Sequence, residues 1–113
     1  MTSTKGFVVN NTGVSLSFVA DNDPDHGEPP TILITSLPPG GEGTVFIANS
    51  DGAGVEGWVQ ASGNGATWQL NYDNPVIGSN SGSVSKNPGT CDVGSGVNNT
   101  NTYTLNPRST SKD

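Results

Sequence analysis

The chain has 113 residues, 30% of them hydrophobic and 12% charged, with 16 glycines and 8 prolines. That length suits a single domain of ordinary size, and no apolar run reaches the roughly 18–20 residues of a membrane-spanning helix. Four basic residues against ten acidic ones leave a net charge of −6, which makes nucleic acid a poor partner.

No segment repeats apolar residues at i, i+3, i+4 and i+7, so no helix is predicted. Short clusters of Val, Ile, Leu, Phe, Trp and Tyr alternate instead with turn residues. Gly6–Asn10 reads as the first strand, and Asn11-Thr12-Gly13 turns it into Val14–Ala20 as a hairpin. An acidic loop, Asp21–Pro30, precedes a strand at Thr31–Ser36, which Pro38-Pro39-Gly40-Gly41 stops. Gly43–Asn49 follows, then a hairpin of Val55–Ala61 and Thr67–Asp73 around Ser62-Gly63-Asn64-Gly65. The low-complexity stretch Ser79–Thr102 is too long for an ordinary loop and is expected to hold a weak edge strand or a functional segment. Thr102–Asn106 closes the set, and 107–113 reads as a frayed tail.

The expectation is one all-β domain, a two-sheet β-sandwich of seven or eight mostly antiparallel strands over residues 6–106. Alternation assigns Leu16, Phe18, Ile32, Ile34, Val45, Ile47, Val59, Trp68, Leu70, Tyr72 and Leu105 to the core. It leaves Glu56, Trp58 and Gln60 facing outward.

Catalysis has little to draw on. His26 and Cys91 are the only imidazole and thiol, they stand far apart in sequence, and no Gly-x-Ser-x-Gly elbow occurs. An enzyme is not expected. A lone Cys forms no internal disulfide, and the Met1–Phe7 start lacks the apolar stretch of a signal peptide, so cytosolic synthesis, with release by a non-classical route if any, is the expectation. The sequons at Asn10 and Asn98 read as chance in an Asn-rich chain.

Two features suit binding. Asp21, Asp23, Asp25 and Glu28 can converge oxygens on one calcium ion, or simply form a solvated acidic turn. Trp58, flanked by Glu56 and Gln60, can stack on a sugar ring, sit at a lipid headgroup, or lie covered by the Ser79–Thr102 segment. Asp73, Asn74 and Asn80, whose side chains suit hydroxyl groups, complete the candidate ligand-binding set.

Asn10-Asn11-Thr12-Gly13, Gly54-Val55-Glu56-Gly57 and Asp73-Asn74-Pro75-x-x-Gly78-Ser79-Asn80 occur in that order and spacing. The set resembles the aegerolysin family, with the small components of binary insecticidal crystal toxins of Bacillus and the related slime-mould haemagglutinins beside it. The resemblance implies a non-enzymatic module binding membrane lipid, with permeabilisation left to a larger pore-forming partner protein. The alternative is a soluble lectin or adhesion module binding cell-surface glycans, with or without calcium. Neither reading specifies an oligomeric state.

Overall fold

The computed structural model describes residues 2–109. Among the described residues there is no helix, and ten strands form two five-stranded sheets. These are β1 (Ser3–Asn10), β2 (Leu16–Ala20), β3 (Thr31–Ile32), β4 (Ser36–Leu37), β5 (Glu42–Asn49), β6 (Gly54–Gly63), β7 (Ala66–Pro75), β8 (Ser81–Ser85), β9 (Gly89–Asp92) and β10 (Asn98–Leu105). One sheet runs β3-β5-β1-β10-β9 and the other β4-β2-β6-β7-β8. All pairings are antiparallel except β1 with β10.

The strand count exceeds the seven or eight expected, for two reasons. Thr31–Ser36 is two short strands, β3 pairing with β5 and β4 with β2, so the chain changes sheets within it. Ser79–Thr102 holds β8, β9 and the start of β10, with β8 and β9 as outer strands of the two sheets. The hairpin expected at Asn11-Thr12-Gly13 is corrected: β1 and β2 belong to different sheets. Asn10 explains the corner. Its buried amide nitrogen donates to the carbonyls of Val14 (2.9 Å), Leu37 (3.0 Å) and Pro38 (3.0 Å), and its Oδ1 accepts from the Thr12 N–H (3.0 Å) and hydroxyl (2.6 Å). A hairpin would leave that amide without most of these partners.

The β6–β7 hairpin forms as expected, closed by the Gly63–Ala66 pair around Asn64 and Gly65. Both turn residues have positive φ, 49° and 79°, the geometry of a type I′ turn and its Asn-Gly preference.

The inward faces of both sheets meet in one apolar cluster, with Trp68, Phe46, Tyr72, Tyr103, Leu16, Leu70 and Leu105 buried. Phe46 lies between the two tyrosine rings, 5.5 Å from Tyr72 and 6.0 Å from Tyr103. Leu16, Phe18, Val45, Val59, Trp68, Leu70, Tyr72 and Leu105 lie where alternation put them, whereas Ile32 and Ile34 are only partly buried. Ile47 is a correction: it is half-buried, while its neighbours Phe46 and Ala48 are in the core. The cause is a bulge, since Gly6 pairs with Phe46 but Phe7 pairs with Thr44. The extra residue, Val45, flips the alternation, so Val45 and Phe46 both point inward. Gly6 makes this possible, because any side chain there would collide with the Phe46 ring.

The expected tail is described only through Ser109, whose N–H donates to Asn87 Oδ1 at 3.2 Å. Residues 110–113 lie outside the described residues.

Candidate functional site

β2 pairs only with Val59–Ser62 of β6, so the first half of β6 has a free edge. The acidic loop covers it. The Asp21 N–H donates to the Trp58 carbonyl (3.1 Å), and His26 and Glu56 exchange backbone bonds of 3.3 and 2.9 Å. The His26 ring approaches the Glu56 carboxylate at 3.8 Å.

Register then sets out the outward face of β6, β7 and β8 in rows. Gln60, Gln69 and Ser85 face one another, as do Trp58, Asn71 and Ser83, and Glu56, Asp73 and Ser81. A chain of amides locks the first two rows: Gln60 Nε2 to Gln69 Oε1 (2.9 Å), Gln69 Nε2 to Asn71 Oδ1 (2.8 Å), and Asn71 Nδ2 to Ser83 and Ser85 Oγ (3.1 and 3.0 Å). Beside it runs an open groove of about 530 Å³, bounded by Asp21, Asp23 and Asp25 of the loop, Glu56–Trp58, Asn71–Asp73 and Ser81–Ser83. Five carboxylates line it and no Lys or Arg does. Trp58 is half-buried on this face.

The structure thus brings Glu56, Trp58, Gln60 and Asp73 onto one surface. It places Asn74 and Asn80 elsewhere. Asn74 is 2% exposed. Its amide nitrogen lies 3.1–3.4 Å from Ser3 O, Gly96 O, Val97 O and Asn99 Oδ1. Asn80 donates to the carbonyls of Gly94 and Gly96, both at 3.0 Å.

The acidic residues named as calcium-ligand candidates take separate places. Asp21 is buried, and its Oδ1 accepts the Asp23 N–H at 3.0 Å, an Asx turn. Glu28 lies past the His26–Glu56 bridge, its N–H on the Asn49 carbonyl. Among the described residues no group of three or more His, Cys, Asp or Glu is placed to hold a metal ion. His26 and Cys91 sit in different settings, the first against Glu56 and the second beside Tyr103. Burial pushes the Cys91 thiol up to about 11, with the Asp92 charge adding to the rise and the Tyr103 hydrogen bond opposing it.

Asn74 and Asn80 belong to a second region, whose aliphatic residues were not singled out from the sequence. Where β1, β5, β6, β7 and β10 reach one end of the molecule, the loops 76–80 and 93–97 lie side by side. Ile77 is 90% exposed, Val76 66% and Val97 64%, and Val93 is exposed as well. Side-chain hydrogen bonds from Asn74 and Asn80 tie the second loop to the first. From Asn74, a buried polar ladder continues through Asn99 Oδ1, which also accepts the Thr4 hydroxyl at 2.5 Å. Asn99 Nδ2 donates to Asn101 Oδ1 (3.0 Å), Asn101 Nδ2 to the Tyr103 hydroxyl (3.1 Å), and that hydroxyl to the Asn71 carbonyl (2.7 Å). The signal was present as Asn99, Asn101, Tyr103 and Leu105 at period two, hidden within a run that reads as polar low complexity.

Comparison with protein-family models and with curated proteins returns no match, so the chemistry of both regions rests on their geometry.

Proposed function

We propose that the chain is a non-enzymatic cell-surface module, a β-sandwich that docks on a membrane through its aliphatic end. The observation that carries this reading is the set of exposed Val76, Ile77, Val93 and Val97 on two loops pinned together by Asn80. Burying a branched aliphatic side chain fully stabilises by roughly 1.5–3 kcal/mol. Shallow insertion of three or four at about 1 kcal/mol each gives on the order of 4 kcal/mol, a dissociation constant near millimolar. Docking of a single copy is therefore weak and reversible. No Lys or Arg occurs between residues 50 and 54 or 75 and 80, nor between 93 and 97, so the end suits a zwitterionic surface over an anionic one. The resemblance to aegerolysins supports the same reading.

Pore formation falls to a larger partner protein. Among the described residues, the one strand pair of spanning length, β6 with β7 at ten residues each, has its apolar side committed to the core around Trp68 and Leu70. Insertion would require dismantling that core. An equilibrium titration with zwitterionic vesicles up to several millimolar lipid, followed by NMR line broadening, tests docking. The parent protein's signals are expected to broaden at about millimolar lipid without release of an entrapped dye, and those of Ile77→Asp to stay sharp. Equal broadening of both, no broadening of either, or dye release by the protein alone refutes the reading.

The groove favours a second reading. An indole beside amide, hydroxyl and carboxylate groups on a rigid sheet matches what a sugar needs, an apolar platform flanked by hydrogen-bond partners. Glycan binding at Trp58 is the lectin alternative.

A further inference from the structure

Loops 76–80 and 93–97 border a cleft at the aliphatic end, and its chemistry indicates the lipid head group, an inference that rests on the membrane reading above. We propose that this cleft holds an uncharged, hydroxyl-bearing head group, a single neutral hexose carried on a lipid. The lipid's apolar part would lie across Val76, Val93 and Val97.

The cleft is about 390 Å³, within the range of small-molecule sites. Residues 74–76, 78–80 and 93–97 line it, and none of the lining residues is charged. A phosphate would find no cation there and an ammonium no carboxylate, and an unpaired charge in a partly enclosed site is costly. Hydroxyl groups donate and accept without charge, and so suit it. Val76, Val93 and Val97 are exposed on the same loops. Polar groups under an aliphatic rim match an amphipathic ligand, with its head inward and its chain toward the bilayer.

Asn74 supplies a second, independent observation. It is 2% exposed and lines the cleft. Its Nδ2 lies 3.1–3.4 Å from three carbonyls and Asn99 Oδ1, which marks that end of the amide as the nitrogen. No described residue donates to its Oδ1. Nor is that oxygen sealed, since among the described residues the Tyr72 hydroxyl is the one buried side-chain atom without a partner. An unpaired amide oxygen at the bottom of a cleft calls for an N–H or O–H from outside the chain. Asn80 repeats the arrangement: its Nδ2 donates to the Gly94 and Gly96 carbonyls, both at 3.0 Å, and its Oδ1 receives no bond from a described residue. Both nitrogens are spent on the 93–97 loop, and both oxygens remain for a ligand. A lipid with one hydroxyl would leave one of them unpaired, whereas a hexose ring offers several. Ser79 and Ser95, exposed in the same cleft, can donate back.

The NMR titration is run with three vesicle compositions: phosphatidylcholine alone, and phosphatidylcholine mixed with either phosphatidylethanolamine or monohexosyl diacylglycerols, glucosyl and galactosyl together. Broadening is expected at roughly tenfold lower lipid with the hexosyl lipids than with the other two. The double variant Ser79→Ala, Ser95→Ala is expected to lose that preference and to respond to phosphatidylcholine as the parent does. Octyl glucoside and octyl galactoside, below their micellar concentrations, are expected to shift the side-chain amide signals of Asn74 and Asn80 in the parent, a readout that needs no variant. Equal response to hexosyl and phosphatidylcholine vesicles overturns the head group and leaves docking standing. Equal response to hexosyl and ethanolamine vesicles shows that an ammonium is accepted and overturns the neutral class. A preference kept by the serine variant, or unmoved Asn74 and Asn80 signals, overturns the cleft as its place. No broadening by any vesicle overturns the docking reading itself.

Discussion

Two chemically identical substitutions in the core are expected to change stability in opposite directions. Tyr72 and Tyr103 flank Phe46 from opposite sheets. The Tyr103 hydroxyl donates to the Asn71 carbonyl at 2.7 Å and accepts from Asn101 at 3.1 Å. The Tyr72 hydroxyl is buried with no partner and lies near the Asp21 carboxylate, so burial first and that charge second hold its pKa far above the usual range for a phenol. Tyr72→Phe removes a desolvated group that is not compensated, and the expected gain is about 1 kcal/mol. Tyr103→Phe removes two hydrogen bonds and orphans a buried amide and a carbonyl, a loss of about 2–3 kcal/mol. With unfolding entropy near 2.1 cal/mol/K per residue, 1 kcal/mol corresponds to roughly 4 °C for a chain of this size. Calorimetric melting should therefore rise by about 4 °C for Tyr72→Phe and fall by about 8–12 °C for Tyr103→Phe. A lowered midpoint for Tyr72→Phe would show that its hydroxyl is satisfied in the folded protein and would refute this pairing.

Trp58→Ala should leave the melting curve nearly unchanged, because the side chain lies on the outward face of the second sheet, but should weaken any ligand that occupies the groove; a cooperative loss of stability would place Trp58 in the core. Asn74→Ala removes the donor shared by four oxygens and should cost about 2–3 kcal/mol while freeing loop 93–97, read as faster amide exchange there. Alkaline stability should fall through the pH range 9 to 11: below it the Cys91 thiol is protonated in both states, and within it only the unfolded chain gives up the proton, since burial holds the folded value at about 11. Tyr72 and Tyr103, also raised by burial, act in the same direction at higher pH; a flat urea midpoint from pH 8 to 11 would contradict this. Calcium titration should release no more heat from the parent than from Asp23→Asn, Asp25→Asn, because among the described residues no group of three or more acidic side chains is placed to hold the ion.

Local pattern was enough for the all-β class, for the Asn64-Gly65 hairpin and for the faces of β6 and β7, because period-two alternation and a two-residue turn are encoded by adjacent residues. That same alternation placed Trp58, Glu56, Gln60 and Asp73 on one outward surface before any register was known. It failed at β5, where the Val45 bulge depends on how Gly6 and Phe46 meet across strands, and neither residue signals this alone. It failed as well at Asn10, whose side chain binds Leu37 and Pro38, 27 and 28 residues away, and so sends β2 to the other sheet. The acidic residues could be listed from the chain, but whether they surround a metal ion or border a groove depended on His26 pairing with Glu56. The aliphatic end was illegible for a related reason. Val76 and Ile77 belong to one loop and Val93 and Val97 to another, and the amides of Asn74 and Asn80 tie the two side by side. Interactions between neighbours in sequence decide faces and turns, whereas both candidate surfaces join residues from separate elements of the chain, and only the folded chain brings them together.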